Sequence, residues 1–251
     1  MAGTASGRNW FTSGGESYAR YRPTYPEALP AFLAEVAPDN VLAVDVGCGN
    51  GQFTCQLARH FAEVVGVDPS ESQLANAVPH ERVRYVHAPA ESLGLPDRSA
   101  SLIVAAQAAH WFDLPHFYAK VRRIAVPGAA LALVSYGIPS FDRVINERFL
   151  RFYREEIGDY WPPERKLVES GYAGIDFPFP AIPYPPMAIR RDWDLAALLG
   201  YVTTWSATRA VEEAGRHDLL DTFAADMERL WGDPARTRAV VWPITMRLGR
   251  L

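Results

Sequence analysis

The stretch from Val41 to Thr54, VLAVDVGCGNGQFT, changes character twice within fourteen residues. Val41 to Val46 is an apolar run broken by one acid, Asp45. Gly47, Gly49 and Gly51 then alternate with other residues, after which Phe53, Leu57 and Phe61 recur at four-residue spacing on one helical face. The order is strand, glycine loop, helix. A strand feeding a helix needs a crossover to reach its next parallel neighbour, so this unit commits the chain to an α/β architecture.

The rest of the first half repeats the pattern. Val64 to Asp68 reads as a second strand ending in acid, and Ser70 starts a short helix. Arg82 to His87 and Ala100 to Ala106 read as the third and fourth strands. Asp113 caps a helix carrying Phe117, Val121 and Ile124, and Gly128 leads into a fifth strand, Ala129 to Tyr136. In the second half, residues 140 to 160, Asp192 to Trp205 and His217 to Trp231 read as helices. The segment through MAIRR reads as an edge strand, and TRAVVWPITMRL as a last strand whose Pro243 argues for an edge or a bulge. The expected fold is α/β, a doubly wound, mostly parallel, seven-stranded sheet with helical insertions near the C-terminal strands. One domain is expected over residues 1–251: an N-terminal lid and first helix (1–36), a core (37–136), covering insertions with an edge strand (137–236) and the last strand (237–251).

Composition narrows the function. A formal net charge of -4 gives no nucleic-acid footprint. No segment supplies a signal peptide or 18 uninterrupted apolar residues, so the sequence predicts a cytoplasmic protein without a membrane partner. Cys48 and Cys55, with scattered histidines, predict neither a disulfide framework nor a metal site.

The loop spacing is G-x-G-x-G, one residue short of the dinucleotide fingerprint G-x-G-x-x-G. Asp45, two residues before the first glycine, would sit against any phosphate bound there, whereas a ligand with positive charge suits it. Asp68 lies seventeen residues beyond Gly51 and is placed to accept bonds from ribose hydroxyls, which supports an adenosyl ligand without choosing between cofactors.

DVGCGNG resembles the first motif, D-x-G-x-G-x-G, of the class I S-adenosylmethionine-dependent methyltransferases at every fixed position. The resemblance implies a Rossmann-like fold, S-adenosylmethionine as cofactor and S-adenosylhomocysteine as product. YARYRPTYP (Tyr18 to Pro26), AESLGLPDRSASLIVAAQAAHWFD (Ala90 to Asp113) and TTWSA (Thr203 to Ala207) resemble a small-molecule subgroup that includes trans-aconitate methyltransferases. It implies a cofactor site of Tyr18, Arg22, Asp45, Gly47, Gly49, Gly51, Asp68, Pro69, Ala90, Glu91 and Gln107. In it Glu91 and Ala90 lie near the adenine, Gln107 lies beside the methionine portion, and Arg22 meets the methionine carboxylate. One departure stands out: many relatives have Gly-Asp before this Ala-Glu, and this chain has Ala88 and Pro89.

Tyr21, Trp111, Tyr136 and Trp205 are candidates for an acceptor pocket, and His110, in HWFD, is the candidate general base. The expected reaction is methylation of a small molecule at oxygen, a carboxylate being one acceptor class. A carbon or nitrogen methyltransferase is the alternative, followed by a binding module without catalysis. A nicotinamide oxidoreductase is disfavoured by Asp45 and the short glycine spacing. The oligomeric state is open.

Overall fold

A computed structural model describes residues 21–251. Helix α1 (Ala28–Val36) precedes β1 (Leu42–Val46), α2 (Gln52–Leu57), β2 (Glu63–Asp68), α3 (Glu71–Ala75), β3 (Val83–His87) and β4 (Ala100–Ala106). A 3₁₀ turn (Ala109–Trp111) leads to α4 (Leu114–Ile124) and β5 (Ala125–Tyr136). Then come α5 (Arg143–Arg151), continued by a π-helical turn (Phe152–Glu156), and α6 (Arg165–Glu169). The chain ends with β6 (Met187–Trp193), α7 (Leu195–Thr203), α8 (Ser206–Glu213), α9 (His217–Trp231) and β7 (Arg238–Arg250).

The strands form one seven-stranded sheet in the order β3-β2-β1-β4-β5-β7-β6, parallel except for β7, which is antiparallel to both neighbours. Alternation along each strand feeds two cores. On β5, Ala130, Ala132, Val134 and Tyr136 face one layer with α1, α2, α5 and α7 to α9, while Leu131 and Leu133 face the other with α4 and α6. Strand order reverses between β1 and β4, so the loops after β1, β2, β4 and β5 open onto one crevice.

The caps read from sequence are present. Ser70 Oγ accepts from Gln73 N, and Asp113 accepts from His116 N. Two expectations change. Asp192 and Trp193 belong to β6 rather than to a helix, and Asp194, accepting from Ala197 N at 2.8 Å, caps α7 instead. Strand β7 is not at an edge, yet its Pro243 is explained by a gap in its pairing. Val241 exchanges both backbone bonds with Ser140, which turns residues 241, 243 and 245 toward the β5 side. The β5 ladder ends at the Tyr136–Ile244 pair, so the missing N–H of Pro243 faces the break between ladder and bridge. Helices α6 and α8 are additions that the sequence reading did not anticipate.

Candidate active site

The crevice holds a cavity of about 430 Å³ at the carboxyl ends of the parallel strands. Its floor is the loop between β1 and α2. Gly47 N and Cys48 N both donate to Val67 O of β2, at 2.7 and 3.1 Å. Gly51, at φ +79°, starts α2, and a Cβ there would overlap the Tyr85 hydroxyl, so only glycine lets the loop lie this close to β3. Tyr85 Oη in turn donates to Val78 O at 2.8 Å, and Val78 N donates to Asn50 O at 3.0 Å, closing a buttress beneath the loop.

Two carboxylates meet at this floor. Asp45, the next-to-last residue of β1, is almost fully buried, and Thr54 Oγ1 donates to its Oδ2 at 2.7 Å, while Oδ1 has no partner. Burial pushes the Asp45 carboxyl up to about 7, against the Thr54 bond, with the Asp68 charge adding a smaller push. Asp68 Oδ2 accepts Gly49 N at 2.8 Å and Oδ1 accepts Ser70 N at 2.9 Å, so this carboxylate holds the glycine loop to the start of α3. Burial raises its pKa too, opposed by those two backbone bonds.

Of the candidates from sequence, Arg22, Asp45, Gly47, Gly49, Asp68, Pro69, Ala90, Glu91, Gln107, Trp111 and Tyr136 line the cavity, and Gly51 does not. Gln107 adopts φ +57°, donates from Nε2 to Tyr136 O at 2.8 Å, and keeps a buried Oε1 without a partner. Glu91 accepts Asp113 N at 2.8 Å, which joins the β3–β4 segment to the start of α4. Trp111, about a third exposed at 38%, stands at the mouth.

The structure brings other candidates elsewhere. Successive residues of a 3₁₀ turn point about 120° apart, so Trp111 faces the cavity while His110 turns back into the protein. There His110 Nδ1 lies 3.1 Å from Tyr172 Oη, and burial, with the nearby Arg165 charge, lowers its pKa to about 3. Trp205 is buried among Phe149, Tyr153, Trp161 and Tyr201, and Tyr21 packs beside Gly200. Neither lines the cavity. Tyr18 lies outside the described residues. Sequence reading missed Tyr25, Phe53 and Phe112, aromatic parts of the wall, and Gln73, whose buried Oε1 has no partner. Phe53 was read only as part of a helical face, and no spacing in the chain relates it to Tyr25 and Phe112, since their closeness is made by three separate segments.

The cavity is rich in acceptors. Asp45 Oδ1, Gln73 Oε1 and Gln107 Oε1 are all buried and unpartnered, and Asp68 adds a second carboxylate. Such a wall suits a ligand with an ammonium and hydroxyls and opposes a pyrophosphate.

Residues 44–133 match the methyltransferase domain family. A protein of Dictyostelium discoideum named as a methyltransferase is 36% identical over 217 residues, 84% of this chain and 81% of its own. The chain belongs to the class I S-adenosylmethionine-dependent methyltransferases. A solved structure from Anaeromyxobacter dehalogenans, titled as a type II methyltransferase, superposes with a TM-score of 0.87 at 46% identity, covering 92% of this chain and 98% of that one. A Saccharomyces cerevisiae protein named as an S-adenosylmethionine-dependent methyltransferase is 29% identical over 49% of this chain and 46% of its own. S-Adenosylmethionine is therefore the cofactor of this methyltransferase, and the acceptor-rich cavity fits it.

That cofactor, when bound, supplies a methyl group already activated on a sulfonium. The protein's task is to bind, orient and exclude water. The buried carboxylates offer negative charge in a poorly solvated site, where it acts strongly on a cation. Tyr25, Phe53, Phe112 and Tyr136 give the cavity an aromatic wall. Among the described residues, no group of three or more His, Cys, Asp or Glu is placed to hold a metal ion, and no helix is long and apolar enough to cross a membrane.

Proposed function

We propose that this methyltransferase acts on a small molecule and places the methyl on an oxygen of a carboxylate. The observation that carries the reading is the position of His110. It is the candidate base beside the cavity mouth, it is turned toward Tyr172, and its low pKa reflects a site that disfavours a proton. A carboxylate is ionised at neutral pH and attacks without a base, whereas a phenol or ring nitrogen needs help. A cavity of about 430 Å³ with aromatic walls belongs to the small-ligand class. The likeness of YARYRPTYP and HWFD to the trans-aconitate methyltransferase-like subgroup supports an acidic acceptor as well.

In this reading Asp68 receives the ribose, Asp45 and Gln107 face the methionine ammonium, and Arg22 meets the methionine carboxylate. Pro69, Ala90 and Glu91 border the adenine, with Ala88 and Pro89 leaving the amino group to backbone acceptors or to Glu91. Tyr136 and Trp111 frame the acceptor. The test is transfer of a radiolabelled methyl to a panel of small carboxylic acids, phenols and amines. Label released as volatile methanol by mild alkali marks an ester and supports the proposal. Label confined to alkali-stable products of phenols or amines overturns it.

A further inference from the structure

Helix α3 opens with Ser70-Glu71-Ser72-Gln73, the S-x-x-Q pattern of a capping box. In that device the serine hydroxyl accepts the N–H three residues on, and the glutamine side chain accepts the serine N–H in return. The first half is present: Gln73 N donates to Ser70 Oγ at 3.3 Å. The second half is not. Ser70 N donates instead to Asp68 Oδ1 at 2.9 Å, so the carboxylate has taken the place reserved for Gln73.

The displaced side chain does not go to solvent. Gln73 is 6% exposed, it lines the cavity, and its Oε1 is buried without a partner. It lies 3.8 Å from where a Cβ on Gly49 would stand, and Gly49 N is the donor to Asp68 Oδ2. Gln73 Oε1 and the Asp68 carboxylate therefore converge above one glycine. A buried acceptor left open is costly unless something donates to it. Both acceptors share one wall, and a vicinal diol brings two donors side by side.

We propose that Gln73 is a second ribose ligand of this site, accepting a hydroxyl beside Asp68 and making the site selective for an intact ribose. The inference rests on the adenosyl cofactor alone and not on the acceptor proposed above. Asp68 performs two tasks in it: it fastens the glycine loop to α3, and it frees Gln73 from the cap.

The test is calorimetric binding of S-adenosylhomocysteine and of its 2′-deoxy and 3′-deoxy analogues, with no acceptor present, to the parent, Gln73→Met and Gln73→Glu. Expected is a loss of about three- to tenfold in affinity for S-adenosylhomocysteine in Gln73→Met, the size of one hydrogen bond. One deoxy analogue should bind Gln73→Met and parent alike, because the partner hydroxyl is already gone. Gln73→Glu, which keeps an acceptor, should retain the preference for the full ribose. Equal losses for all three ligands in Gln73→Met would mean that the side chain only supports the loop, and parental affinity for all three would mean that it is idle; either overturns the proposal. Far-UV dichroism and a melting curve check that each variant is folded.

Discussion

Asp45, buried near the end of β1, sets the stability of its strand against the charge it brings to the cavity. Its carboxyl is buried and raised to about 7, whereas in an unfolded chain an aspartate titrates near about 4. Between those values the folded chain keeps a proton that the unfolded chain has lost. This group's contribution to stability is thus whole below about pH 4 and lost as pH rises through 7. Asp45→Asn cannot ionise, so in cofactor-free protein the variant should gain on the parent by roughly 2–4 kcal/mol between about pH 4 and 8. Urea unfolding at a series of pH values measures this, and a constant difference would show that Asp45 ionises normally. The same variant should bind S-adenosylhomocysteine more weakly, since a neutral amide offers less to an ammonium. In the proposed reading, stability is sacrificed here for a charge that faces the ammonium of the cofactor.

At the scale of elements, the 3₁₀ turn after β4 and the junction of α7 with α8 decide which aromatic and imidazole groups reach the crevice. The turn sends Trp111 to the mouth and His110 to Tyr172. His110→Gln should therefore keep kcat within about threefold, with an unchanged pH profile, where loss of a general base costs about a hundredfold or more. At the other junction, Trp205 precedes α8 and its ring lies 5.3 to 5.7 Å from those of four aromatic neighbours. Trp205→Ala should lower stability by about 3–5 kcal/mol in urea unfolding. Trp205→Phe should leave the acceptor KM near the parental value; a large rise in KM with unchanged stability would restore a substrate role to this side chain.

For the whole molecule, the crevice lies where the strand order reverses between β1 and β4, and its walls come from β1, β2, β4, β5 and the segment before α1, among others. A ligand joining these pieces binds only the folded state. S-Adenosylhomocysteine at a hundred times its Kd should add about 2.7 kcal/mol and raise the melting temperature by roughly 5–10 °C. Asp68→Ala should remove most of that rise at the same ligand concentration, since it deletes the ribose acceptor and the tie between Gly49 and Ser70. Differential scanning fluorimetry reads both outcomes, and an equal rise in the variant would refute the role given to Asp68.

Local chemistry made much of this legible in the amino-acid order. The strand-glycine-helix unit, the acids near the ends of the first two strands and the caps at Ser70 and Asp113 each depend on residues a few positions apart, so spacing indicated the α/β core, while the cofactor was read from the resemblance of DVGCGNG to the methyltransferase motif. Other features depend on partners far away in the chain. His110 turns on Tyr172, 62 residues later, and Pro243 is accommodated by where β5 stops pairing. Gln73 sits three positions beyond Ser70, in a pattern that by itself announces a cap, until Asp68 occupies the donor it would have used. That competition is between near neighbours in the chain, and the tertiary structure enters it through Gly49, whose N–H holds the other oxygen of Asp68 across the crevice floor.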